Sequence, residues 1–105
     1  MGINEYQNLA MTTLNKSLDK KDVLINSVMG LCGEAGEVID LVKKHLHQGH
    51  SLNKDQLVKE LGDVAWYLAE IAYAIDVDLE TVLSLNIEKL KKRFPNGFEI
   101  EKSIN

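Results

Sequence analysis

The periodicity of this 105-residue chain is helical almost throughout, and its single proline, Pro95, lies near the end. Apolar residues recur at three- and four-residue spacing with no alternating stretch that would favour strands, so an all-α fold is the expectation. A first helix is expected over about Asn4 to Lys16, turning Tyr6, Leu9, Ala10, Thr13 and Leu14 inward. A second runs from a cap near Asp22 to about His47, with Val28, Leu31, Ala35, Val38, Ile39, Val42 and Leu46 on one stripe. Gln48 to Leu52 is a polar break, with Gly49 placed as a helix terminator. Asn53, followed three residues later by Gln56, reads as the cap of a third helix whose stripe is Leu57, Leu61, Val64, Ala65, Leu68, Ile71, Ala72 and Ile75. Asp78 caps a fourth helix with Leu79, Leu83, Ile87, Leu90 and Phe94 on its apolar side, ended by the Pro95-Asn96-Gly97 turn. No linker, repeat or low-complexity run divides the chain, so one domain over residues 1–105 is expected.

The break between the second and third helices is short, which makes them antiparallel neighbours in a central hairpin. Two acidic spacings straddle it, Glu34-x-x-Glu37 and Glu60-x-x-Asp63. The midpoint of Glu34 and Asp63 and that of Glu37 and Glu60 both fall at the Gln48/Gly49 boundary, so the four acids share one level, about 16 Å from the turn at 1.5 Å per residue. Glu34 and Glu37 lie roughly 90° and 150° to one side of the second helix's apolar stripe, and Glu60 and Asp63 about 80° and 140° to the same side of the third. Carboxylates about 5 to 6 Å apart would repel by roughly 3 kcal/mol per close pair at an effective dielectric near 20. A cation among them is expected. Oxygen-only ligands suit magnesium, with manganese as a substitute, better than calcium or zinc. His45, His47 and His50 fit no zinc spacing and read as helix-end residues favoured by the dipole.

Composition narrows the partners. The net charge of -4 gives no basic field for polymeric nucleic acid or anionic membrane. One cysteine, Cys32, rules out an intrachain disulfide and suits a reducing compartment. No stretch has the length and apolarity of a signal peptide or a membrane span, and the myristoylation pattern fails at its sixth position, so a cytoplasmic protein is expected.

A phosphate grip is suggested on the fourth helix, where Asn86, Lys89 and Arg93 fall at i, i+3 and i+7. Arg93, the one arginine of the chain, offers a planar fork, Lys89 a point charge and Asn86 an amide donor. Gly30, Gly33 and Gly36 each cost about 1 kcal/mol inside a helix, which points to close approach of another helix or a ligand. Trp66 lies about 160° from the third helix's apolar stripe, with Ala69 and Tyr73 nearby, so that helix is apolar on two sides.

Three motifs then occur in order: Gly30-Leu-Cys-Gly-Glu-Ala-Gly-Glu-Val38, Lys59-Glu-Leu-Gly-Asp-Val-Ala-Trp-Tyr67, and Asn86-Ile-Glu-Lys-Leu-Lys-Lys-Arg-Phe-Pro-Asn-Gly-Phe98. Together they resemble the MazG-like all-α nucleoside triphosphate pyrophosphohydrolases over nearly the whole chain. The resemblance implies hydrolysis of a nucleoside triphosphate between its α and β phosphates to a monophosphate and pyrophosphate, in nucleotide-pool sanitising or control. By that resemblance Glu34, Glu37, Glu60 and Asp63 hold magnesium and Lys59, Asn86, Lys89 and Arg93 contact phosphates; from the chemistry of a metal-bound water, one carboxylate of the site, Glu34 or Glu37, is expected to take its proton. Gln7, Trp66 and Tyr67 are candidate base contacts. Some relatives carry a further glutamate where this chain has Gly33. A four-helix protomer of this size, with a third helix apolar on two sides, is expected to complete its core as a homodimer or homotetramer, as relatives do. Two competing readings are a non-enzymatic helical interaction module anchored by Trp66, and related chemistry on another nucleotide such as phosphoribosyl-ATP.

Overall fold

A computed structural model describes residues 1–104. Among them the chain is all-helical: α1 (Ile3–Met11), α2 (Lys20–His47), α3 (Lys54–Ala74), α4 (Leu79–Arg93) and a four-residue α5 (Ile100–Ser103) in the tail. The long hairpin of α2 and α3 is the backbone of the molecule; α1 packs on α3 and α4, and α4 on α3.

Helix boundaries follow local hydrogen bonding more closely than apolar spacing. The expected first helix to Lys16 stops at Met11, because the Thr12 and Thr13 hydroxyls bond back to the carbonyls of Leu9 and Ala10 at 2.6 and 2.7 Å and compete with helix continuation. The second helix begins earlier than expected. Its cap is Asp19, whose carboxylate accepts from the Asp22 N–H at 2.8 Å, so Asp22 is a first-turn acid. Asn53 caps α3 as expected, accepting from the Gln56 N–H at 3.0 Å. At the turn, Gly49 adopts φ +73°, a left-handed conformation that suits glycine, and the His50 N–H reaches back to the Lys44 carbonyl at 3.2 Å. His45 Nδ1 donates to the His50 carbonyl at 2.9 Å and fixes the loop from the other side.

Asp78 precedes α4 but its side chain makes no capping bond. The orphan N–H groups are taken instead by α1: Gln7 Oε1 accepts from Leu79 at 2.9 Å and Asn4 Oδ1 from Glu80 at 3.1 Å. Gln7 also donates to the carbonyls of Ala69 at 3.3 Å and Val77 at 3.1 Å, tying three helices at one buried point.

The core of the protomer is small. Ala10, Val23, Ala69, Ala72 and Leu79 are its buried apolar residues, joined by buried Gln7, Ser27 and Glu70. Much of each expected apolar stripe stays outside it. Val28, Ile39 and Leu46 of α2, Leu61 and Leu68 of α3 with Ile75 just past its end, and Leu83, Ile87 and Leu90 of α4 are exposed. The protomer presents 7809 Å² of surface, where scaling for a compact chain of this mass gives about 5,900 Å². Its radius of gyration is 16.7 Å, against about 13 Å for a compact chain of this length. No helix among the described residues is long and apolar enough to cross a membrane.

Candidate metal centre

The hairpin brings acids of its two helices together. Glu34 on α2 and Glu60 and Asp63 on α3 each bring a carboxylate oxygen within 4.8 Å of the others. Glu34 and Glu60 are half-buried and Asp63 is open to solvent. One Glu34 oxygen, Oε2, is buried without a hydrogen-bond partner. The Glu34 carboxyl is accordingly pushed above the ordinary carboxylate range. Sharing of a proton with Glu60 contributes most, followed by burial and then by the charges of Asp63, Glu60 and Glu37. A buried oxygen with no donor, inside a group of three acids, is the donor set a hard divalent cation satisfies.

The fourth acid departs from the expected convergence. Glu37 is exposed and stands toward the turn, lining a hollow with Asp40 and Lys44. Two physical reasons agree. Its phase lies farther from the hairpin seam than that of Glu34, and the Lys44 ammonium attracts it while three like charges repel it. The Lys44 ammonium is itself held by Asp40 at 2.9 Å, and its pKa is raised first by that bond, with a smaller share from Glu37.

Tyr6 on α1 is a neighbour of this cluster that helical spacing does not reveal. Its phenol is raised above its usual pKa by burial first and then by the Asp63 charge. The signal is out of reach in sequence because it depends on how α1 crosses α3.

The expected base contacts have packing roles. Both amide protons of Gln7 are engaged with backbone carbonyls in the interior, leaving no free donor for a base. The Trp66 indole N–H donates to the Ala10 carbonyl at 3.1 Å and the Thr13 hydroxyl at 2.9 Å, clasping the end of α1. Tyr67 lies edge-on to Trp66, with ring centroids 5.1 Å apart, and its ring fills the space that a Cβ at Gly30 would need. That contact accounts for Gly30. At Gly33 and Gly36 a Cβ would meet nothing within 4 Å, and both positions open onto solvent.

The phosphate candidates divide. Lys59 is exposed on the turn before Asp63. Asn86 and Lys89 are exposed on α4, and Arg93 is half-buried, donating through Nε to the Lys102 carbonyl at 2.7 Å and lying over the Phe94 ring. Lys89 and Arg93 line a separate hollow of about 550 Å³ that includes none of the four acids. Within one protomer the acids and the α4 stripe are not brought together.

Comparison with known proteins bears on this geometry. The Gene 37 protein of Mycobacterium phage L5 is 47% identical over 73 residues, a region covering 66% of this chain and 64% of that protein. The chain thus spans under two thirds of the length of the curated relative it matches. No solved structure matches it. The family model of the MazG nucleotide pyrophosphohydrolase domain matches residues 24–98, a span that holds all four acids and the whole α4 stripe. The chain belongs to the MazG nucleotide pyrophosphohydrolase family.

Proposed function

We propose that this chain hydrolyses a nucleoside or deoxynucleoside triphosphate between the α and β phosphates, releasing a monophosphate and pyrophosphate and so serving to clean or control a nucleotide pool. The observation that carries the reading is the group formed by Glu34, Glu60 and Asp63, with a buried Glu34 oxygen lacking any donor, in a chain of this family. These residues would hold magnesium, or manganese in its place, with Glu37 moving in as a fourth ligand or standing beside it. When bound, the ion neutralises phosphate charge and lowers the pKa of water at the site. In this reading Glu37, exposed and outside the tight group of three, accepts the proton of the attacking water, with Glu34 the other candidate.

Lys59, Asn86, Lys89 and Arg93 take the phosphates in this reading. The Arg93 fork suits two phosphate oxygens at once, and Lys89 adds a point charge where the leaving pyrophosphate gains negative charge. We assign the α4 contribution to a second copy of the chain. The α4 stripe lies apart from the acids in the protomer, every residue from Glu80 to Lys92 is exposed, and the surplus of total surface over a compact chain, which includes exposed Leu83, Ile87 and Leu90, is of the size that homodimer interfaces bury.

Magnesium-dependent release of pyrophosphate from a panel of triphosphates is the direct test. Release of orthophosphate instead would move the cut to another bond, and no release from any of them would refute the reading. Shared sites have their own signature: Asp63→Asn and Arg93→Ala, each inactive or crippled alone, should recover part of the activity when mixed. Absence of recovery, with both variants folded and exchanging subunits, would place the two sets of residues on one chain.

A further inference from the structure

From the acid cluster the α2–α3 seam runs in two directions, and only one is open. Away from the turn, the Tyr67 ring occupies the gap above Gly30, and beyond it Ser27 and Glu70 have no solvent exposure at all. That end is closed to a ligand. Toward the turn lies a hollow of about 430 Å³, within the range of small-molecule sites, which adjoins the cluster through Glu37. Its wall is made by α2, the loop and the start of α3, and it contains Asp40, Lys44, His50, Ser51 and Gln56.

Charge decides which end of a nucleotide this hollow can take. Its lysine is already paired with Asp40 at 2.9 Å, and Glu37 adds a second carboxylate, so the polyanionic pyrophosphate end would meet net repulsion. The uncharged nucleoside end would not. Among the described residues the hydroxyl of Ser51, the amide of Gln56 and the imidazole of His50 make no protein hydrogen bond through their side chains; the bonds at Gln56 and His50 run through the backbone. An amide donates and accepts side by side, which matches the adjacent donor and acceptor groups on the edge of a nucleobase. Asn53, by contrast, is spent as the α3 cap.

We propose that this turn-side hollow is the nucleoside subsite, with Gln56, His50 and Ser51 reading the polar edge of the base and Glu37 marking its border with the phosphates. The inference rests on the pyrophosphohydrolase reading above and assigns the base to a place different from Gln7, Trp66 and Tyr67. A hydrogen-bonding site of this kind discriminates by leaving its own polar groups unpaired against the wrong base, so removing one of those groups relaxes the choice.

The test compares the full-length protein with Gln56→Ala and with His50→Ala, measuring kcat/KM for pyrophosphate release from dATP, dCTP, dGTP, dTTP and dUTP. At least one variant should change the ratio between the best and worst base by roughly tenfold or more, while stabilisation by magnesium alone is kept. Uniform scaling across all five, or no change, in a background where the unmodified protein cleaves them, overturns the subsite and leaves the function standing. Failure of the unmodified protein to cleave any of the five, together with no calorimetric binding of triphosphate and magnesium, overturns both.

Discussion

The two ends of the α2–α3 seam meet the same difficulty, carboxylates taken out of water, and resolve it differently. Near the turn three acids converge, one oxygen is left without a donor, and solvent reaches the cluster through Asp63. At the far end a lone carboxyl, Glu70, is fully buried, as is Ser27, and neither of its oxygens has a hydrogen-bond partner. Several acids in an open groove have a common cationic solution; a single sealed acid has room only for a proton. Convergence and access, more than burial, therefore separate a candidate site from a structural oddity here, and each half of that contrast can be broken by experiment.

The largest effect is expected at the turn end. Asp63→Asn removes a ligand and a charge while keeping shape, and turnover should fall by more than about a hundredfold if the acid holds a metal used in catalysis. The same variant gives a second reading that activity cannot. Unmodified protein should gain thermal stability on adding magnesium, by about 2.7 kcal/mol at a hundred times the dissociation constant, or several degrees of Tm. Asp63→Asn should lose most of that gain and melt no lower than the unmodified protein without metal, since one like charge has gone. A variant that still gains the full magnesium stabilisation would remove Asp63 from the cluster.

The boundary between the two ends is the Gly30–Tyr67 contact, and it should respond to a single methyl group. A Cβ at Gly30 overlaps the Tyr67 ring, so Gly30→Ala should destabilise by about 1 to 3 kcal/mol, the usual cost of overpacking. Gly33→Ala, one turn closer to the acids and open to solvent, should be neutral or gain up to about 1 kcal/mol from helix propensity. Paired thermal melts decide it: equal effects at the two positions would mean that the seam is not closed at Gly30.

This glycine contrast also shows what sequence could and could not convey. The hairpin, its Asn53 cap and the Gly49 stop follow from local spacing and are present in the structure, and of the four acids expected at one level Glu34, Glu60 and Asp63 come together while Glu37 does not. The end of α1 at Met11 depends on two threonine hydroxyls whose choice between helix and local bonding has no periodic signature. Gly30, Gly33 and Gly36 look alike in sequence, yet only Gly30 faces an aromatic ring, because that depends on how two helices are rotated against each other. Gln7 reads in sequence as a candidate base contact, and its role as a shared cap is illegible there, since its partners lie more than sixty residues away. The apolar stripes were real, but sequence cannot say whether a stripe is covered by its own chain, and in this protomer Leu61, Leu68 and Ile75 are not.

The smallest effect, and the one that isolates the far end, concerns Glu70. Burial pushes its carboxyl above the usual glutamate range, and the neighbouring Asn26 amide opposes that rise without closing a hydrogen bond. A folded-state pKa above the unfolded one means that the folded protein holds the proton more tightly. Its penalty is absent below the unfolded value near 4.5, grows as pH rises toward the raised folded value, and is fully present above it. Glu70→Gln keeps the shape and cannot ionise, so it should stabilise by about 1 kcal/mol or more at pH 8 and by little at pH 4, because the cost of a buried charge applies only where the acid would ionise. Melting curves of both proteins across that range give the answer in the slope of their difference. A difference in Tm that stays flat with pH would show that Glu70 is not held protonated by its burial.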